Sequence, residues 1–318
     1  MKKALAALAL LGTSFALPPT AMAAEPIQWS GDVSLKYEKD TASAEDDRSG
    51  FISTFRLKAE ADLGSGWSLY SRLGAQHTSQ AGLSDLNPDE YGEEKTFAIA
   101  LDQFGVKYKT QDWLFNLGHQ DVTIGSSALL YSRPDTNIGR RAFVDGLTIN
   151  GTVRQWDLAV VAAREDNAAG FENNKLYAVH AERKLSERVS AGLTVGRYEA
   201  ADNHTNHWAL NSTYAYKGAS LTGELAKSNA GNANKAYALK LEKAINDKTT
   251  PYITWFRVEE NASMGGQSDF DAGKRGIHYG INHTITDKDS LEIVYKDQKT
   301  IGSANKDTAL EVTYTRSF

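Results

Sequence analysis

Charged side chains recur at every second position along several stretches of this chain, and that spacing limits the chemistry they can share. Arg56, Lys58, Glu60 and Asp62 alternate with Leu57, Ala59, Ala61 and Leu63. A period of two puts the ions on one face of an extended strand and the apolar set on the other. Ions in rows along a face supply an electrostatic field. They do not supply a nucleophile or a proton relay. Groups suited to covalent or metal chemistry are scattered by comparison. No Gly-x-Ser-x-Gly elbow is present, and no phosphate-binding glycine loop. The chain has no cysteine, which excludes disulfides and thiolate metal sites. His204 and His207 stand close together without a third ligand at metal-binding spacing. Asp269-Phe270-Asp271 lacks the ligand spacing of a calcium loop. The expectation is no enzyme, no catalytic residue, no metal and no cofactor.

Rows of this kind need strands with one apolar face to hold them. Phe51, Phe55, Leu57 and Leu63 share one parity, with Arg56, Lys58 and Glu60 on the other. Gly64-Ser65-Gly66 turns the chain, and Trp67, Leu69, Leu73 and Ala75 continue the apolar face opposite Arg72 and Gln76. The same unit recurs to Phe318. Residues 27–39, 96–109 and 140–153 read as strands. Tyr252, Thr254, Phe256 and Val258 read as the outward set of a later one. Short turns of two to five residues alternate with polar loops read as eight to nineteen residues. Among those loops are Asp40–Ser49, the acidic Ser79–Lys95, Asp121–Gly139 and Asn261–Gly273. Trp29, Trp67, Trp113 and Trp156 fall near the starts of strands that follow short turns, where a membrane-interface belt would place them. Pro88, Pro134 and Pro251 all fall in loops or turns, as expected where no edge strand tolerates a missing donor.

The predicted fold is therefore all-β: a transmembrane antiparallel barrel of about sixteen strands, with short turns at one end and long loops at the other. No segment after the N-terminus has the roughly 18 consecutive apolar residues of a membrane helix. The mean hydropathy of -0.45 does not argue against a barrel, because alternation cancels in a sliding window. Lys2 and Lys3, the apolar run Ala4–Leu11 and Ala21-Met22-Ala23 mark residues 1–23 as a secretory signal, leaving 24–318 as the barrel. Loss of the two lysines takes the formal net charge from -5 to -7, which discourages nucleic-acid binding.

With these features the chain resembles the general porins of Gram-negative outer membranes. Phe318, with Tyr314 and Val312 on its parity, is similar to that family's C-terminal assembly signal, from which Arg316 departs. Asn116-Leu117-Gly118-His119-Gln120 resembles the Gly-Arg-Gln/Asn segment that opens the family's third loop, with His119 in place of the arginine. Asp121–Gly139 then corresponds to the constriction loop, without the family's acidic Pro-Glu-Phe-Gly-Gly-Asp motif. The resemblance implies a homotrimer in the bacterial outer membrane, surrounded by outer-membrane lipids and lipopolysaccharide. It also implies passive diffusion of ions and small hydrophilic solutes. Charge facing the interior requires water there, since burying an unpaired ion costs several kcal/mol. Inward candidates include Arg56, Lys58, Arg72, Lys107, Arg197, Arg257 and Glu292. Arg56, Arg72 and Arg140 would form a cationic wall across from Asp121 and Asp135, with Lys58 and His119 beside them. Alternatively, Arg133, Arg140 and Arg141 pin the loop to the wall. The competing readings are a substrate-selective channel, a barrel hydrolase, and a barrel that only tethers envelope layers.

Overall fold

The computed structural model describes residues 27–43, 47–80, 83, 96–167, 172–201 and 203–318. The expected signal, residues 1–23, and the acidic stretch with Asp85, Asp89, Glu90, Glu93 and Glu94 lie outside these residues.

Alternation is realised as strand after strand. These are β1 (Gln28–Ala42), β2 (Arg48–Gly64), β3 (Trp67–Thr78), β4 (Phe97–Lys109), β5 (Trp113–Gln120), β6 (Val122–Ile124), β7 (Tyr131–Arg133), β8 (Val144–Val153) and β9 (Trp156–Glu165). They continue as β10 (Lys175–Lys184), β11 (Val189–Glu199), β12 (His204–Tyr216), β13 (Ala219–Ser228), β14 (Lys235–Lys243), β15 (Thr249–Val258), β16 (Lys274–Thr284), β17 (Asp289–Thr300) and β18 (Lys306–Ser317). Sixteen of them form one closed antiparallel ring; β6 and β7 make a separate two-stranded sheet. β1 closes on β18, with Leu35 opposite Tyr314 and Tyr37 opposite Val312. Gly31 and Phe318 exchange backbone hydrogen bonds of 3.1 and 3.0 Å at that seam. Closure leaves no unpaired edge, which a strand structure in hydrocarbon requires.

The wall shows which face is greasy. Ile99, Leu117 and Leu225 are each 58% exposed on the outside, while Thr54, Gln76 and Glu224 are buried inside. A water-soluble sandwich would show the reverse. Trp29, Trp67, Trp156, Tyr216 and Phe318 form an exposed aromatic girdle at the short-turn end, where Trp67 stacks on Tyr108 with centroids 4.5 Å apart. A second girdle lies toward the long loops, formed by Tyr177, Trp208, Tyr237, Trp255 and Tyr295. No helix among the described residues is long and apolar enough to cross a membrane, so strands do the crossing.

The opening turn depends on glycine. Gly66 has φ +84°, and a Cβ there would lie 2.2 Å from the Lys109 carbonyl oxygen. Gly66→Val is expected to destabilise the folded barrel by roughly 1–3 kcal/mol. The check is the urea midpoint of protein refolded in detergent.

The structure corrects several boundaries. The ladder runs beyond the apolar stretch, because backbone pairing needs no apolar side chain. Asp40 pairs with Ala309 and Arg48, so the first loop shrinks from Asp40–Ser49 to residues 43–47. The connections at residues 200–203, 229–234 and 301–305 are also shorter than read, so length does not sort the two ends strictly. Residues 140–143 are not strand. Arg140–Ala142 form a single 3-10 turn and β8 starts at Val144. On β15 the parity is inverted: Thr254, Phe256 and Val258 are buried inside, and Tyr252, read as outward with them, donates its hydroxyl to Glu292. Arg197 and Arg257, expected inside, share the outward parity of Val195 and Trp255.

Candidate functional site

The chain between β5 and β8 leaves the wall and crosses the interior. On one side it bonds β2, β3 and β4. On the other, the Ser127 amide donates to Glu224 Oε2 on β13 at 2.5 Å. β3 and β13 stand eight strands apart in the ring of sixteen, so the segment spans the full width. β6 and β7 form its tip, a small hairpin pairing Val122 with Arg133 and Ile124 with Tyr131.

Its near side is fixed by Arg72. This guanidinium is 1% exposed and donates to both carboxylate oxygens of Asp102, at 2.8 and 2.9 Å. It also donates to Asp135 Oδ1 and to the carbonyls of Asp135 and Asn137, and lies 4.8 Å above the Phe143 ring. Asp102 is 0% exposed and also accepts from the Gly139 amide at 3.2 Å. A β-bulge makes this arrangement. The register slips so that Arg72 pairs with Gln103 and Leu73 with Leu101, which turns both Asp102 and Gln103 inward. Gly74 leaves room for the carboxylate, since a Cβ there would lie 2.2 Å from Asp102 Oδ2. The sequence reading missed Asp102 and Gln103, although the signal was present. The exposed set is odd-numbered at Phe97, Ile99 and Leu101, and even-numbered from Phe104.

Asp135 therefore does not face Arg72 across water. It accepts from Arg72, from Lys58 Nζ at 2.6 Å and from Gln103 Nε2 at 2.8 Å. Burial pushes its carboxyl up, but the Lys58 bond and the Arg72 charge outweigh that and hold it below the usual carboxylate range. Asp121 moves the other way: enclosure by the barrel, then the neighbouring Asp135 charge, push its carboxyl up. Arg56 bonds Asp32 at 2.6 Å and the Thr136 carbonyl at 2.8 Å.

The other predicted residues divide between anchoring and the outside. Arg133 donates to the carbonyls of Arg141 and Phe143 and to Asn167, and lies 3.4 Å from Glu165. It ties the segment to the top of β9, where Tyr131 and Tyr198 also donate to Glu165. His119 is buried at the base. Its ring nitrogens bond the Asp145 carboxylate at 2.8 Å and the Arg140 carbonyl at 2.6 Å. The Arg140 side chain is 62% exposed and pairs with Asp166, so it joins no cationic wall with Arg56 and Arg72. Arg141 lines the cavity.

A second inward segment was not foreseen. Residues 259–273, within which Asn261–Gly273 was read as a polar loop, fold onto the first segment. Met264 N donates to Leu130 O at 2.8 Å, Ser132 N to Gln267 O at 3.0 Å, and Ser132 Oγ to Asp269 Oδ1 at 2.6 Å. Leu129, Leu130, Tyr131 and Met264 are fully buried against inward alanines on the wall, among them Ala178, Ala209, Ala226 and Ala238. This dry core occupies the β9–β15 side of the interior. On the other side a cavity of about 800 Å³ remains. Ser34, Lys36, Thr54 and Arg56 line it from β1 and β2, Glu292, Glu311, Thr313 and Thr315 from β17 and β18, and Thr136 and Asn137 from the crossing segment.

The metal-ligand candidates read from the sequence do not come together among the described residues. His204 is exposed on the outer face and His207 is buried inside, bonded to the Ala262 carbonyl, so the two cannot share an ion. Asp269 is used by Ser132, and Asp271 by Lys274 and Gln298. Among the described residues, His119, Asp145 and Asp166 bring ligand atoms within 4.8 Å of one another. Both imidazole nitrogens there are already bonded, and Asp166 holds Arg140.

No protein-family profile and no curated relative matches the chain. Solved structures do. A triple mutant of the porin of Rhodopseudomonas blastica superposes with a TM-score of 0.59 at 11% identity, over 92% of this chain and 100% of that one. A loop-deletion mutant of OmpT, an outer membrane protein of Vibrio cholerae, gives 0.61 at 10% identity, over 91% and 99%. At such identities the likeness is one of fold, and this chain has the sixteen-stranded porin fold.

Proposed function

We propose that a chain with this fold and this interior is an outer-membrane porin, a water-filled channel for passive diffusion of ions and small hydrophilic solutes. The observation that carries the reading is the polar cavity of about 800 Å³. It persists beside the crossing segments, opposite the dry core on the β9–β15 side. Arg56, Arg141, Glu292 and Glu311 are among the charged residues that line the cavity. Ions lining a pore in this way set selectivity. The crossing segment acts as the constriction. The barrel works as a homotrimer in the bacterial outer membrane after removal of residues 1–23, with lipopolysaccharide among its neighbours. Refolded mature protein in planar bilayers should give stepwise conductance, with steps grouped in threes. A silent bilayer, with the barrel shown to be folded and inserted, would sink the reading.

Selectivity should titrate in one direction. Asp121 takes up its proton above the usual carboxylate range, whereas Asp135 keeps its charge to lower pH. As the pH falls the constriction loses the Asp121 charge before the Asp135 charge, so the reversal potential should shift toward anions. The neutral carboxyl is the better tolerated form. Its contribution to stability is full at low pH and is lost as the pH rises through the raised value. Asp121→Asn channels should sit at the acid-side selectivity throughout and show no shift in that range. An unchanged pH profile in Asp121→Asn would contradict the assignment.

A further inference from the structure

The outward face of β13–β18 carries a row of cations beyond the aromatic girdle of the long-loop end. Lys227 on β13 is the register partner of Lys235 on β14. Arg257 on β15 pairs in register with Arg275 on β16, Arg275 with Lys299 on β17, and Lys299 with Lys306 on β18. All six share the parity of outward residues such as Leu225, Tyr237, Tyr279 and Tyr295. They point away from the lumen and take no part in the pore.

Like charges directly opposite each other destabilise a sheet. The protein answers only part of this charge. Arg257 pairs with Glu259 at 3.0 Å and Lys306 with Asp297 at 2.9 Å. Lys227, Lys235, Arg275 and Lys299 have no side-chain ion pair among the described residues. Their height is informative too. Lys235 stands two residues beyond Tyr237, and Arg257 two beyond Trp255. Aromatic side chains mark the boundary of the hydrocarbon, so the next outward position lies among headgroups. Beside the row, the outer face has a groove of about 660 Å³ whose walls include Tyr177, Val179, Val195 and Trp208, with Arg197 and Lys227 at its polar end. An acyl chain fits the apolar wall with its phosphate at the cations.

We propose that this row is a docking surface for phosphate-bearing lipid headgroups of the leaflet on the long-loop side. Lys227, Lys235, Arg257, Arg275, Lys299 and Lys306 are the contact residues. Guanidinium and ammonium groups bind phosphate oxygens through charge-assisted hydrogen bonds, and cations near a lipid surface each add to the attraction. A lipid phosphate there offsets the cross-strand repulsion that the acids of the chain leave standing. A soluble polyanion would have to reach past the membrane surface to the same row. The inference rests on the membrane reading above.

The test uses the full barrel in uncharged detergent, titrated with diphosphorylated lipid A and with its dephosphorylated form, and read by native mass spectrometry. The wild type should bind the diphosphorylated form at least tenfold more tightly, and the preference should fall as salt rises. In the variant Arg257→Gln, Arg275→Gln, Lys299→Gln and Lys306→Gln the preference should drop at least tenfold, with binding of the dephosphorylated form unchanged. If that variant does not fold, Arg275→Gln with Lys299→Gln should lose a smaller part of the preference. Equal binding of the two lipids by the wild type, or an undiminished preference in a folded variant, would overturn the proposal. Conductance in a phosphatidylcholine bilayer separates the two readings. A channel that conducts there but ignores phosphate keeps the pore and loses the docking surface; a lipid-binding barrel that never conducts does the opposite.

Discussion

Arg72→Met is expected to destabilise the barrel by roughly 3–5 kcal/mol, because it leaves a buried carboxylate without its counter-ion. Asp102 is 0% exposed; its remaining donor, the Gly139 amide, carries no full charge. The same change frees the near end of the crossing segment, since Arg72 holds the carbonyls of Asp135 and Asn137. Two measurements separate these effects. The urea midpoint in detergent reports stability, and single-channel recording reports the loosened segment as added current noise and altered conductance. Pairing the change with Asp102→Leu should recover a good part of the stability, because an apolar pair of similar volume removes the unpaired ion. It should not recover the quiet channel, because a leucine side chain in place of the Asp102 carboxylate accepts nothing from the Gly139 amide. A single Arg72→Met protein as stable as the wild type would show that the ion pair does not organise the site.

The second large effect should come from the dry core between the two inward segments. Leu130→Ala removes a fully buried side chain, and its backbone carbonyl is the acceptor for Met264. The expected cost is about 2–5 kcal/mol, the range for a buried leucine truncated to alanine. Leu130→Asp should do more, because a charge there has neither water nor a partner. Both changes should release residues 259–273 from the crossing segment and raise conductance, since the volume these segments fill would open to water. Protease nicking after detergent extraction should then appear within 259–273. If conductance and nicking match the wild type in a folded Leu130→Asp barrel, the two segments are not held together by this core.

Much of the wall was legible in the chain, and particular residues show why. The alternation of Arg56, Lys58 and Glu60 with Leu57, Ala59 and Ala61 fixes a strand and its two faces, since side chains on an extended backbone can only alternate. Glycine at Gly66 fixes a turn that other residues strain to make. Pro134 falls in a connection, but Pro251, read as part of a turn, is the third residue of β15 and stands opposite Ile281, so the expected exclusion of proline from strands fails there. Repetition of that unit was enough for a closed barrel of about sixteen strands.

The interior was less legible. On β15, Ile253 and Trp255 alternate with Tyr252, Thr254, Phe256 and Val258, so both faces carry apolar residues. Periodicity names two faces and cannot say which is wet. Phe256 turns inward because residues 259–273 return to cover it, with Phe270 stacked on its ring at 4.6 Å. Asp102 likewise becomes the partner of Arg72 only through a slip of one residue in the ladder. Local spacing determined that this chain is a barrel, because strand faces and turns follow from neighbours in sequence. Which loops enter the barrel, which charges meet and where water remains were decided by contacts between residues far apart in the chain, and only the closed ring brings those together.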